Sequence, residues 1–378
     1  MTVSTPEIGV MSTPRNFDIA VTGRCNLSCA YCFYADEMTS RTDLSTDQWL
    51  DVFKLLGGLR VMRVTLTGGE ALSRPDFFKL VDGVIENRMR YSILSNGTLV
   101  TERTLAEFEK GKRRQRLDSI QISIDGSSAK VHDQSRPNSF SRAIRGLQLL
   151  KGAGFPLTVR ITINRFNYTD LENTARLLLE EIDLDGFSTN EAYPCGATNR
   201  YEDGIMLTVD QRREVMNTLT RLNEKYHDRI SASAGPLALV QEECLIHESR
   251  EKGLRELPGR GYLTACGGVF DKLALLHDGT IVPCHVISDL NLGNILTDDI
   301  REIWLHHPLM QAMRQRSENS LDAIEPCSTC DYKGFCTGGC PGGALFLNHD
   351  FNTRNPMDCY RILTGEETYP PSEETTLS

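Results

Sequence analysis

Ten of the twelve cysteines in this 378-residue chain fall in patterns that suit metal. Cys25, Cys29 and Cys32 form a C-x3-C-x2-C run on one short segment. Three thiolates so placed can take three irons of a cubane cluster, because thiolate is the usual protein ligand of iron–sulfur sites. The fourth iron is then left without a protein ligand. An open coordination position is what metal catalysis needs and a structural site avoids. A zinc site, or three unrelated thiols, is the competing reading of the spacing. A second set lies far along the chain: Cys266, Cys284, Cys327, Cys330, Cys336, Cys340 and Cys359. Its CxxC pair suits zinc as well as iron–sulfur clusters. Cys195 and Cys244 stand outside both sets, and each also reads as a buried free thiol.

Composition bounds the rest. Apolar residues make up 40% and charged residues 24%, as in an ordinary globular protein. The length allows two or three domains at roughly 150 residues each. Lys plus Arg number 41 against 51 Asp plus Glu, a net charge of −10. That acidity argues against non-specific binding to nucleic acid or to an anionic membrane. The N-terminal residues have neither the basic nor the apolar region of a signal peptide. No apolar run approaches the roughly 20 residues of a membrane span. The chain is read as cytoplasmic, with no nucleic-acid or membrane partner. Clustered cysteines in that reducing compartment point to metal or catalysis rather than disulfides.

The elements that must position these thiols alternate. Strands are expected at 17–22, 61–67, 91–95, 118–124, 158–164 and near 186–193. Helices are expected at 46–56, 75–88, 101–110, 139–154 and 169–182. Strand–helix alternation specifies a parallel sheet, and six units specify an α/β fold of the partial (β/α)6 TIM-barrel type. Chemistry in such sheets sits at the C-terminal strand ends. Cys25, Gly68, Asn96 and Asp125 each follow one of the first four strands. The expected domains are a barrel over 16–207, a helical bridge over 208–262 whose later part is loop-rich, and a cysteine-rich domain over 263–364. Tails at 1–15 and 365–378 read as disordered. The distal domain is poor in apolar periodicity, so metal would staple it.

The triplet after the first strand, with Tyr31 before its last cysteine, resembles the signature of the radical S-adenosylmethionine (SAM) superfamily. Thr67-Gly68-Gly69-Glu70 resembles that family's GGE motif, which binds the SAM amino group. Ser95-Asn96-Gly97 stands where the family contacts the ribose. Ser123-Ile124-Asp125-Gly126 with His132 and Arg136 resembles its SxDG and HxxxR stretch, which places Ser123 and Arg136 near the ribose or carboxylate. Asn190 stands where the family contacts ribose and adenine. Read without the family, Gly68-Gly69 exposes backbone to a close ligand and Glu70 can pair with an ammonium. Each piece alone also reads as a turn.

The distal cysteines resemble the SPASM domain, which carries auxiliary clusters. The resemblance implies one cluster on Cys327, Cys330, Cys336 and Cys359, and another on Cys266, Cys284 and Cys340. That second site is one ligand short, so Cys195 or Cys244 completes it or it stays open. In all it implies SAM and three clusters. The family chemistry is reductive SAM cleavage to methionine and a 5′-deoxyadenosyl radical, which takes a hydrogen atom from substrate. An auxiliary cluster then accepts an electron, giving cross-linking, dehydrogenation or excision.

The first expected substrate is a ribosomally made peptide. The alternative is a small molecule such as a sugar or aminocyclitol, and a non-catalytic metal module is disfavoured. A flavodoxin or ferredoxin is the implied electron donor. Fused leader-binding domains take roughly 80 residues, and about 16 precede the first strand. That shortfall counts against the peptide reading without defeating it, because leader recognition can reside on a separate protein. His285 follows Cys284 where formylglycine-forming maturases carry an aspartate base, which argues against that activity. His277, His306 and His307 read as structural or solvated. Among acid–base candidates near strand ends, Glu191 and Tyr193 are not ranked.

Overall fold

A computed structural model of the chain describes residues 9–200 and 204–367. Ten strands form one sheet: β1 (Asn16–Ala20), β2 (Arg63–Thr67), β3 (Arg90–Ser95), β4 (Leu117–Ser123), β5 (Leu157–Ile163), β6 (Phe187–Glu191), β7 (Ile230–Ala232), β8 (Lys272–Leu275), β9 (Thr280–Val282) and β10 (Gly293–Asn294). Their order is β10-β9-β8-β1-β2-β3-β4-β5-β6-β7. From β8 to β7 every pairing is parallel, whereas β9 and β10 add antiparallel turns. The barrel is partial, since β7 and β8 close on no common partner.

Strand alternation builds two faces. Phe17, Ile19, Leu66, Ile93, Ile122 and Ile161 point out and are fully buried under helices such as Phe77–Glu86 and Phe140–Gly152. The inward positions are half-buried and mostly polar, including Asp18, Thr65, Ser92, Gln121, Ser123, Arg160 and Ser188. A capping box at Ser45 starts the helix Thr46–Gly58, and another at Thr208 starts Val209–Lys225.

Three expectations are corrected. The stretch to 262 is not merely loop: Pro236–Glu251 is a 16-residue helix, and β7 precedes it. Pro236 suits its first turn, and its apolar residues are scattered rather than striped, so periodicity hid it. Residues 11–15 are packed rather than tail. The Met11 carbonyl accepts from Trp304 Nε1 at 2.7 Å, and Arg15 N–H donates to Asp271 O at 2.9 Å. At the other end Glu367 pairs with Arg354. The remaining tail expectations, for 1–8 and 368–378, lie outside the described residues. Finally, the cysteine-rich region is not built on thiols alone. β8 pairs with β1, and Trp304, Ile281 and Leu275 join the main apolar core.

Candidate active site

The Cys25–Cys32 loop leaves β1 and is clamped by its neighbours. Asp43 accepts from Thr22 Oγ1 at 2.6 Å and from Gly23 N–H at 2.7 Å. Gly69 N–H and Glu70 N–H donate to the Thr22 and Arg24 carbonyls at 2.9 and 2.8 Å. Gly68-Gly69 thus also seats the cysteine loop. A Cβ on Gly68 would stand 2.2 Å from the Thr22 carbonyl, and one on Gly69 would stand 2.3 Å from that of Arg24. The glycines are there so that two backbones can touch.

Glu70 is buried and accepts from Ser95 Oγ at 2.9 Å, Asn96 N–H at 2.7 Å and Leu72 N–H at 3.1 Å. Burial still drives its carboxyl above the usual range. Asn96 Nδ2 donates to Asn26 Oδ1 at 2.9 Å, and Asn26 Nδ2 donates to Thr98 Oγ1 at 2.8 Å. The strand-end motifs thus grip the cysteine loop as well as facing the lumen.

Asp125 is the hub on the other side. It is fully buried and accepts from Arg136 Nε at 2.6 Å, from Thr162 N–H at 2.8 Å and from the Tyr31 hydroxyl. The Arg136 guanidinium carbon lies 5.3 Å from the Tyr31 ring centroid, and its Nη1 donates to Cys29 Sγ at 3.7 Å. Burial pushes the Cys25 thiol up to about 11 and the Cys32 thiol up to about 12, and raises Cys29. Each of the three also feels a neighbouring charge in the set or on Arg136. A cation must displace those protons, and iron supplies the charge.

His132 sits beneath Asp125, its Nδ1 accepting from the Asp125 N–H at 3.0 Å and its Nε2 meeting Ser139 Oγ at 3.0 Å. Burial pulls its pKa down to about 4. The unfolded chain protonates near 6.5, so below that pH it takes up a proton the folded state refuses. Stability is therefore full above about 6.5 and falls by up to about 3 kcal/mol as pH drops toward 4. Unfolding curves of wild type and His132→Asn across this window test it. The variant should lose one proton's worth of pH slope; equal slopes would refute it.

The distal thiols form two groups. Cys336, pushed up to about 12 chiefly by burial, also feels Cys327, Cys359 and Cys330. Cys284, raised chiefly by burial, feels Cys266 and Cys340. All twelve cysteines are free. Among the described residues no three His, Cys, Asp or Glu gather round a single ion. A zinc site draws its sulfurs to about 2.3 Å of one point, whereas a cubane spreads them over separate irons. All-thiolate sets of this kind suit iron–sulfur clusters. Cys244 is exposed on the helix Pro236–Glu251. Cys195 is buried and feels both Cys32 and Cys284. Arg354 Nη1 donates to Cys359 Sγ at 2.8 Å.

A cavity of about 410 Å³ opens at the N-terminal ends of β1–β3 beside Cys266, lined by Asn16, Asp18, Arg63, Ser92, Gly268 and Lys272 among others. A Cβ on Gly268 would lie 3.5 Å from Cys266 Sγ. Asn190 carries a buried Oδ1 with no partner, which suits a ligand donor. Sequence reasoning passed over Arg160. It stands in register with Ser123 and Ser188, and its Nε donates to Ser188 Oγ at 3.2 Å. No carboxylate pairs with it among the described residues. A basic residue at an inward strand position was the available signal. Two candidates are structural instead. Glu191 is locked to Arg212 at 2.7 Å with both side chains buried. His285 Nε2 meets the Leu275 carbonyl at 2.9 Å. His277 is buried too, its Nδ1 2.8 Å from the Tyr34 hydroxyl.

A partial barrel with a three-thiol loop after β1 and thiol groups beside its lumen defines a class of SAM-dependent iron–sulfur enzyme. Residues 19–178 match the radical SAM superfamily, and residues 266–331 match SPASM, an iron–sulfur cluster-binding domain. The chain belongs to the radical SAM superfamily, carries a C-terminal SPASM domain and is an enzyme that uses SAM and iron–sulfur clusters. It is 24% identical over 361 residues to the AdoMet-dependent heme synthase of Methanosarcina barkeri, covering 94% of this chain and 99% of that protein. Its fold is similar to Streptococcus suis SuiB bound to precursor peptide SuiA, with a TM-score of 0.70, 18% identity, and 93% and 77% of the two chains covered. It is also similar to anSMEcpe with bound AdoMet, with a TM-score of 0.69, 17% identity, and 93% and 96% covered. No helix among the described residues is long and apolar enough to cross a membrane.

Proposed function

We propose that this enzyme oxidatively modifies a ribosomally made peptide in the cytoplasm. The observation that carries the reading is the segment after β6, which touches both sides: its Ala197 N–H donates to the Cys32 carbonyl at 2.9 Å, and its Tyr193 hydroxyl accepts from Asn355, whose partner Asp358 accepts from the Cys340 N–H. A substrate held there lies between a radical source and an electron acceptor. Cys25, Cys29 and Cys32 would hold the SAM-binding cluster. Cys266, Cys284 and Cys340 would hold one auxiliary cluster, and Cys327, Cys330, Cys336 and Cys359 the other. When bound, SAM and its cluster supply the radical that removes a hydrogen atom from substrate. The chain's own residues position and shield. Glu70 would face the SAM ammonium while tying β2 to β3. The Asp125–Arg136–Tyr31 group backs the cysteine loop and keeps water from it. The peptide-bound fold neighbours support this substrate class. A flavodoxin-type donor and a separate leader-binding protein would complete the system.

The test is incubation of reconstituted enzyme, SAM and reductant with short peptides encoded beside its gene. A peptide mass change with 5′-deoxyadenosine formation is expected. Deoxyadenosine with no peptide change, but with turnover of a small molecule, would sink the reading. That second reading draws on the end-to-end likeness to a heme synthase.

Arg160 would seat a carboxylate, from SAM or from substrate. A charged hydrogen bond of this kind is worth about 1.5–3 kcal/mol, or about 10- to 100-fold in affinity. Arg160→Gln should weaken SAM binding by that factor, measured calorimetrically, if the carboxylate is SAM's. If it is the substrate's, SAM binding holds and KM rises. Neither constant moving would remove Arg160 from the site.

A further inference from the structure

Tyr193 follows β6 and reaches across to the start of the helix Pro341–Asn348. Its hydroxyl lies beside Cys340 at the helix start, where a Cβ on Gly342 would stand 3.6 Å from Cys340 Sγ and one on the next residue, Gly343, would meet the hydroxyl. The surrounding network sets where the hydroxyl proton points. Met357 N–H donates to Asn355 Oδ1 at 3.2 Å, which fixes the orientation of the Asn355 amide. Asn355 Nδ2 therefore faces the other way, donating to Asp358 Oδ2 at 2.6 Å and to the Tyr193 hydroxyl oxygen at 3.3 Å. Asp358 Oδ2 also accepts from the Cys340 N–H at 3.0 Å. With its oxygen occupied as an acceptor, the Tyr193 hydroxyl proton is left to point at Cys340 Sγ.

The chain makes room for this arrangement. A Cβ on Gly343 would stand 2.4 Å from the Tyr193 hydroxyl and 2.5 Å from Asn355 Nδ2. The Tyr193 ring meets Phe346 edge-on, with centroids 6.3 Å apart. Asn355 is itself buried. A phenol supplied by the barrel is thus held near one thiol of the Cys266, Cys284 and Cys340 group by residues of the cysteine-rich region.

We propose that Tyr193 is a positioning residue for the auxiliary cluster of Cys266, Cys284 and Cys340, its hydroxyl donating to Cys340 Sγ and raising the potential at which that cluster accepts an electron. The proposal rests on the ligand assignment of the preceding section. A hydrogen bond to a ligating sulfur stabilises the more negative, reduced cluster, and such bonds are among the terms that set cluster potentials. Because Tyr193 extends from β6, the strand that also carries Asn190, a substrate that displaces this segment would change the acceptor's potential.

The experiment is an EPR-monitored redox titration of reconstituted full-length enzyme, wild type against Tyr193→Phe. The signal lost in Cys340→Ala identifies the cluster concerned. In Tyr193→Phe that signal's midpoint should move to a more negative potential while the other midpoints stay, and product formed per deoxyadenosine should fall. Equal midpoints at full iron content would overturn the proposal. If Tyr193→Phe loses iron, 3-fluorotyrosine at position 193 keeps the hydroxyl and makes it a stronger donor. The midpoint should then rise, and an unmoved midpoint overturns the proposal again. Full iron retention in Cys340→Ala would instead refute the ligand assignment.

Discussion

Cys25→Ala should form no 5′-deoxyadenosine from SAM, a loss of at least about 10⁴-fold given that enzymatic accelerations start near 10⁶. It should also lose about four irons per chain, those of one cubane, while keeping the rest. The thiol cannot be replaced from nearby. Cys29 and Cys32 are its partners in the set, and Cys195 is buried on a separate loop whose Ala197 N–H donates to the Cys32 carbonyl at 2.9 Å. Cys327→Ala is the matching control. It should lose a different set of irons and keep SAM cleavage, because Cys327 belongs with Cys330, Cys336 and Cys359. Iron assay and chromatography of deoxyadenosine read both variants. A Cys25→Ala enzyme that still cleaves SAM would end the assignment of this loop.

Asp125→Ala should destabilise the apoprotein by about 3–5 kcal/mol, the range for stranding a buried charge. Asp125 has no exposed surface, and the Arg136 side chain it pairs with is 12% exposed. Removing the carboxylate leaves the guanidinium against Tyr31 and Cys29 without its counter-ion. Thr162 N–H and the Tyr31 hydroxyl lose their acceptor as well. Asp125→Asn should cost less, since it keeps the shape and one acceptor. The double variant Asp125→Leu with Arg136→Met should recover part of the loss, because it removes the stranded charge. Chemical denaturation of the four proteins measures this. A double variant less stable than Asp125→Ala alone would show that the charge is not what matters.

Much of the barrel was legible because its strands are short apolar runs with a helix between each pair. Ile120 and Ile122 face the helices while Gln121 and Ser123 face the lumen. What failed had a weaker local signal. The helix Pro236–Glu251 scatters its apolar residues, and β7 to β10 are two to four residues long, below the length at which alternation can be read.

The cysteine spacing and its place after β1 determined the chemical class, because a cluster needs several thiolates within one loop and one open position. Tertiary structure decided the rest, because long-range contacts carry no periodicity. Folding turned Gly68-Gly69 into a seat for the Cys25 loop and removed Glu191 to a buried pair with Arg212. It also left Arg160 with no carboxylate among the described residues and separated Cys195, beside Cys32 and Cys284, from the exposed Cys244. Spacing names the thiols; only packing shows which side chains press on them, as Arg354 does on Cys359.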